Sequence, residues 1–161
     1  MKTLLALLLL TPTLGFSQEL KPLSQFLNEE NINDIQNRIY ISMRCSALAL
    51  AGTKATFPFK DKDSNNSEVH KELYSMTERL YGVTVGYHLL QHDLDDSHQV
   101  AVLKAIQDDV DYLYETYREY FKEMYLLNGT YTEDMRNEAE FCYAWSNNDE
   151  FHIEFRNDYE N

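Results

Sequence analysis

A sustained heptad of apolar residues in the middle of the chain limits the possible folds more strongly than any other sequence feature. The repeat runs from about Ser67 to His92, and its apolar positions are alternately four and three residues apart. This spacing places one apolar seam along a single α-helix, and the seam has to be buried against other helices. Its positions are Val69, Leu73, Met76, Leu80, Val83, Tyr87 and Leu90.

An earlier helix is predicted upstream of this seam, beginning near Ile32. Between Ile39 and Ala51 the sequence is apolar on nearly every side, which is typical of a helix inside a domain and not at its edge. Gly52 is predicted to end this helix. Residues 53–66 contain Pro, Asp, Ser and Asn and are predicted to form a loop.

Two more amphipathic helices are predicted downstream. The first covers about residues 97–127 and ends at Asn128-Gly129. Its apolar positions are Val100, Leu103, Ile106, Val110, Leu113, Tyr117, Phe121, Met124 and Leu127. The last helix is expected to be capped by Thr130 or Thr132. Its inward positions are Met135, Ala139, Cys142 and Trp145.

Four amphipathic helices joined by short loops predict an all-α fold, a single-domain four-helix bundle over residues 31–150. A short polar arm, residues 18–30, precedes the bundle and carries apolar side chains that can dock on it, Leu23 among them. Residues 151–161 follow as a C-terminal tail.

The first seventeen residues have the pattern of a secretory signal peptide. Lys2 supplies the positive charge, Leu4 to Leu10 form a short apolar core, and small residues lie just before Gln18. The apolar stretch is much shorter than the roughly 20 residues that span a bilayer. The sequence therefore predicts a signal peptide at residues 1–17, and a mature protein that is exported to a periplasm or the extracellular space, with no membrane span.

Cys45 and Cys142 are the only cysteines of the chain. In an oxidising compartment a lone pair of cysteines usually forms a disulfide. We therefore expect a structural bridge between the first and last helices, with two free thiols as the alternative.

The net charge narrows the choice of partners. The chain has 14 basic and 27 acidic residues, which gives a formal charge of −13. Such a chain repels phosphate backbones, so nucleic-acid binding is not expected. The charge favours a basic protein partner or cation binding, although solubility alone also explains it.

Residues 61–72, DKDSNNSEVHKE, resemble a calcium-binding loop of the EF-hand pattern. That pattern places oxygen ligands at positions 1, 3, 5 and 12, which here hold Asp61, Asp63, Asn65 and Glu72. Asn66 holds position 6, where the pattern has glycine, and asparagine is the next best residue for that conformation. Two departures weaken the match: Glu68 stands at position 8, which is usually apolar, and Pro58 leaves little room for an entering helix. An ordinary loop followed by a capped helix is the alternative interpretation.

Residues 88–98, HLLQHDLDDSH, concentrate histidine and aspartate. His88 and His92 are four residues apart, so both can face one side of a helix and bind a transition metal. Asp95, Asp96 or His98 could complete such a site. The alternative is that these residues stabilise the helix ends at the turn, where the helix dipoles favour their charges.

Arg44 lies within the most apolar helix, beside Cys45. If it is buried, it needs a carboxylate partner. Glu138, one turn before Cys142, is the predicted partner if the disulfide forms. The alternatives are that Arg44 extends to the surface or binds an anionic ligand.

No residue pattern in the chain indicates a catalytic site. The sequence has no P-loop and no GxSxG, HExxH or CxxCH motif. The leading hypothesis is an exported, non-enzymatic binding or accessory protein. The alternative is a protein that binds a divalent metal ion at residues 88–98 or 61–72.

Overall fold

The chain folds into an all-α four-helix bundle, as the sequence predicts. The structure is a computed structural model, and it describes residues 22–23, 32, 34–91, 96–126 and 132–148. The helices in this part of the chain are α1 (Ile35–Thr56), α2 (Ser64–Gln91), α3 (Asp96–Leu126) and α4 (Glu133–Ser146), with one 3-10 turn (Phe57–Phe59) after α1.

Three segments of the predicted organisation lie outside the described residues. They are the signal peptide at residues 1–17, the tail at residues 151–161 and most of the arm at residues 18–30. Within the arm, Leu23 is described, and its side chain is fully buried in the core. A search of the described helices finds none with the length and apolar character needed to cross a membrane.

Helix α1 is the centre of the bundle. It packs most extensively against α2, then against α3 and α4, and nearly every side chain from Ile39 to Thr53 is buried. The prediction that this helix lies inside the domain is confirmed. Small residues from Ala47 to Gly52 let α2 approach closely, because a Cβ atom added at Gly52 would lie only 3.2 Å from Cδ1 of Leu73.

The end of α1 differs from the prediction, because Gly52 does not stop the helix. α1 continues to Thr56. The hydroxyl of Thr53 donates to the carbonyl oxygen of Ala49 at 2.8 Å, and that of Thr56 donates to the carbonyl oxygen of Gly52 at 2.9 Å. Both hydrogen bonds join residues of the same helix, so the two threonine hydroxyls have partners there and the helix continues through them. Most of the predicted loop is therefore helical.

Polar side chains at the N-termini define where two helices begin. Asp34 caps α1 by accepting hydrogen bonds from the backbone N–H groups of Gln36 and Asn37. Thr132, one of the two predicted caps, accepts from the N–H of Met135 at 3.3 Å and begins α4. Each cap satisfies N–H groups that have no partner within the helix itself.

The apolar seam of α3 is buried only from its second quarter onward. Val100 and Leu103 were expected to face the core, but they are 67% and 38% exposed. Val102, between them, is half-buried against the core, and the first buried position of the predicted seam is Ile106. Three other predicted seam positions lie outside the described side chains: Leu90, Met124 and Leu127.

The predicted disulfide joins α1 to α4. Cys45 and Cys142 are fully buried, with their Cα atoms 5.2 Å apart. The bridge closes a separation of 97 residues, for which chain entropy suggests roughly 4–5 kcal/mol of stabilisation. It also places Arg44, next to Cys45, opposite α4.

Candidate functional site

Arg44 lies in the core of the bundle, where its guanidinium is paired with a carboxylate from α4. The side chain is 1% exposed. Its Nε and Nη2 atoms donate to Oε1 and Oε2 of Glu138 at 2.9 and 2.8 Å. This two-bond geometry is the strong form of the arginine–carboxylate pair. The structure thus brings together the two residues that the sequence suggested as partners.

Tyr117 of α3 completes this buried cluster. Nε of Arg44 also donates to the Tyr117 hydroxyl at 2.8 Å, and that hydroxyl donates to Oε1 of Glu138. The Tyr40 hydroxyl accepts a longer bond, 3.4 Å, from Nη1 of Arg44. Side chains from α1, α3 and α4 therefore meet through one polar network inside the apolar core.

The electrostatics of the cluster keep Arg44 charged and Tyr117 neutral. Burial alone would lower the pKa of the Arg44 guanidinium, but attraction to Tyr117 and Glu138, with the hydrogen bonds, raises it above its usual value. Burial, and then the negative charge of Glu138, raise the pKa of the Tyr117 phenol. Arg44, Glu138 and Tyr117 are buried and Tyr40 is half-buried, and the guanidinium is already bonded to side chains of the bundle, so the cluster is a structural element.

An apolar pocket of about 230 Å³ lies elsewhere in the bundle, between all four helices. Leu48, Ala49 and Met76 form its interior and are largely or fully buried. The complete lining is Leu48, Ala49, Gly52, Ala55, Thr56, Val69, Glu72, Leu73, Met76, Phe121, Met135, Ala139 and Tyr143. Volumes of this order suit a small ligand, because an apolar cavity of about 150 Å³ already accommodates benzene.

Small residues on facing helices create this space. Ala49, Gly52 and Ala55 on α1 and Ala139 on α4 present little or no side chain, while larger side chains such as Leu73 form the walls. These short side chains leave part of the volume between the four helices unfilled, and the pocket occupies it.

The pocket opens at a polar mouth. Ala55, Glu72, Ala139 and Tyr143 line it and are exposed to solvent, and Val69, expected to be buried, is 43% exposed. A shallower depression continues from this side, shares Val69, Glu72, Leu73 and Tyr143 with the pocket, and adds Asn65 and Glu68. The pocket therefore has an apolar interior and an acidic, aromatic rim.

The residues of the predicted calcium loop are divided between a turn and a helix. Asp61 and Asp63 lie in the turn before α2, whereas Asn65 and Glu72 lie on α2 itself. The Asp63 carboxylate accepts a hydrogen bond from the N–H of Asn66 at 2.8 Å, near the start of the helix. This arrangement favours the capped-helix alternative, and calcium binding by residues 61–72 stays a prediction.

The histidine segment is described only in part. His88 is half-buried on α2 and His98 is exposed on α3, while His92 and Asp95, and the side chain of Asp96, lie outside the described residues. Within the described part of the chain, no group of three or more His, Cys, Asp or Glu residues is arranged to hold a metal ion. Metal binding at residues 88–98 stays a prediction.

Sequence reasoning identified several walls of the pocket but not the pocket itself. Leu73, Met76 and Met135 were assigned to buried seams, and Glu72 was assigned to a calcium loop. The run of small residues at the end of α1 was the one available signal. No protein-family model, curated protein or solved structure matches this chain.

Proposed function

We propose that this protein is a non-enzymatic binding protein that holds a small apolar molecule between its helices. The observation that carries the proposal is the apolar pocket, whose lining comes from all four helices and whose mouth is open to solvent. Ligand sites are typically concave and largely apolar, with a few polar groups. Filling such a volume also recovers van der Waals contacts that an empty pocket lacks.

The chemistry of the lining favours binding over catalysis. Among the lining residues, Glu72 is the one carboxylate, and no histidine, cysteine or lysine accompanies it. General acid–base or nucleophilic catalysis needs a second group close to the first. The lining supplies contact area instead, which is what retention of an apolar molecule requires.

The proposal is tested by blocking the pocket. Ala139→Leu adds three carbon atoms at an exposed lining position of α4, and we expect the affinity for neutral apolar ligands to fall at least about tenfold. Ala144→Leu makes the same change at an exposed position of α4 that does not line the pocket, so its affinity should equal that of the unmodified protein.

Calorimetric titration with short alcohols and single-ring aromatics measures these affinities. Equal binding by the Ala139→Leu and Ala144→Leu variants would show that the ligand lies elsewhere. Failure of the unmodified protein to bind any of these ligands would show that the pocket is only a packing defect.

Export to a periplasm or the extracellular space is part of this proposal. Two observations support it: the signal-peptide pattern at residues 1–17 and the paired cysteines of the core, because disulfides persist mainly in oxidising compartments.

A basic protein partner is a second proposal, and a specific surface of α3 favours it. Asp111 and Tyr112 lie three and four residues after Asp108, so each is within reach of Asp108 on the helix surface, and all three are exposed. Acidic charge attracts basic partners, and tyrosine is enriched at protein interfaces. Asp108→Asn with Asp111→Asn should weaken retention of a basic protein at low salt, whereas Glu133→Gln should not. Equal retention by both variants would contradict it.

Metal binding at residues 88–98 is tested separately. Replacing His88 and His92 together by alanine should abolish uptake of zinc or copper ions, measured by metal analysis of the purified protein. Unchanged uptake in that variant, or no uptake by the unmodified protein, would remove this alternative.

A further inference from the structure

Two carboxylates with no partner among the described residues lie at the mouth of the pocket and in the depression beside it. Glu72 lines both and Glu68 lines only the depression; they are four residues apart on α2, and both are exposed. Like charges at this spacing repel each other on a helix surface. Lys71 shares a neighbouring depression with both carboxylates, but within the described part of the chain neither carboxylate forms a hydrogen bond or an ion pair, so both can accept a cation from a ligand.

Tyr143 places an aromatic ring at the same mouth. Its side chain is 51% exposed, and it lines both the pocket and the adjoining depression. The face of an aromatic ring attracts ammonium groups, and the attraction grows as water is excluded. Carboxylates and a tyrosine ring at one opening together match a positively charged nitrogen.

The interior of the pocket determines which apolar group the ligand can carry. It is lined by aliphatic, methionine and phenylalanine side chains in a volume of about 230 Å³. That space suits a short alkyl chain or a small ring system. An anionic head group would lie against Glu68 and Glu72 and would be repelled, and the net charge of −13 works in the same direction.

From this arrangement we infer that the pocket binds a small amphiphilic cation, with its apolar part between the helices and its protonated amine between Glu72, Glu68 and Tyr143. This inference rests on the proposed function and adds the chemical class of the ligand. The occupant is a free small molecule, because a volume of about 230 Å³ accommodates no more than a short alkyl chain or a small ring system, and the charges that would recognise its head lie only at the rim.

The test compares three ligands that share one eight-carbon chain: octylamine as the cation, octanol as the neutral molecule and octanoate as the anion. Titration calorimetry at pH 7 and low salt should give an affinity for octylammonium at least about tenfold higher than for octanol, with octanoate weakest. In Glu68→Gln with Glu72→Gln, octylammonium should bind only as well as octanol, and octanol affinity should not change.

A matched control removes the same number of charges away from the mouth. Asp109→Asn with Glu133→Gln changes two exposed carboxylates, one on α3 and one on α4, that line neither the pocket nor the adjoining depression, and it should keep the preference for octylammonium. Thermal melting of both double variants verifies that they fold, which is expected because all four substituted side chains are exposed.

The outcomes separate this inference from the proposed function. Equal affinities for octylammonium and octanol, unaffected by the substitutions at Glu68 and Glu72, would overturn the ligand class and leave the pocket as a binding site. Binding of none of the three would overturn both. Binding only by a chain ending at residue 150 would identify the tail as the occupant and would also overturn both.

Discussion

At the scale of single residues, the buried cluster shows how the bundle accommodates a charge in its core. A buried ion pair is not by itself strongly stabilising, because desolvation offsets much of the attraction between the charges. Removing one partner is costly, however, since the other charge stays buried and uncompensated. Arg44 and Glu138 meet in this way beside the disulfide, and Tyr117 bonds to both of them.

Glu138→Gln should therefore destabilise the protein strongly. The substitution removes the negative charge and leaves Arg44 unpaired in the core, so we expect a loss of about 3–5 kcal/mol in the free energy of unfolding. Urea denaturation monitored by circular dichroism measures it. Glu140→Gln, at an exposed position in the middle of the same helix, is the control and should change stability by less than about 0.5 kcal/mol. Equal effects of the two substitutions would contradict the role of the pair.

Tyr117 makes the free energy of unfolding depend on pH in the alkaline range. Burial and Glu138 raise the phenol's pKa in the folded state, whereas in the unfolded chain it is about 10. The stabilisation that Tyr117 contributes is fully present below about pH 10. At higher pH the unfolded chain loses the phenol proton, whereas the folded protein keeps it. Stability then falls by up to about 1.4 kcal/mol per pH unit.

Tyr117→Phe should lack this contribution. The difference in unfolding free energy between the unmodified protein and the variant should shrink from pH 9 to pH 11, as measured by urea denaturation at each pH. Val110→Ala provides the control, because it shortens a buried side chain of the same helix that carries no titratable group, so its difference should not vary with pH. A constant difference for Tyr117→Phe would contradict the raised pKa.

At the scale of helices, the central position of α1 determines which residues of the other helices are buried. The heptad of α2 and the apolar repeat of α3 predicted both helices, but periodicity identifies a face and not how far along its length the face is covered. Val100 and Ile106 lie on the same predicted face of α3, yet the first is exposed and the second is buried.

A matched pair of substitutions on α3 tests where burial begins. Val110 is 2% exposed and belongs to the core, so Val110→Ala should cost about 2 kcal/mol through lost burial and the cavity left behind. Val100→Ala makes the same change at an exposed position and should cost less than about 0.5 kcal/mol. Equal losses in urea denaturation would mean that both positions are covered in solution.

At the scale of the whole molecule, the sequence predicted contacts beside the disulfide more successfully than contacts that depend on how the helices are placed. The pairing of Arg44 with Glu138 could be foreseen, because each lies near a cysteine of the same bridge. The Tyr117 hydroxyl was missed because periodicity treats a tyrosine on the buried face as apolar. The pocket was not predicted, because its volume depends on how the four helices are placed around the small residues of α1 and α4, and no local sequence pattern encodes that placement.

The export, the disulfide and the ligand of the proposal are properties of the whole chain, and one measurement addresses all three. Native mass spectrometry of the protein from its own compartment should give a chain beginning at Gln18, lighter by two hydrogens because Cys45 and Cys142 are joined. Reduction with a thiol should restore those two hydrogens. A chain beginning at Met1 with two free thiols would contradict export. If a small amphiphilic cation is bound, its mass should be present in spectra recorded under the gentlest ionisation conditions. The same mass should be absent from an Ala139→Leu protein prepared in parallel, because that substitution fills the pocket while leaving the disulfide intact.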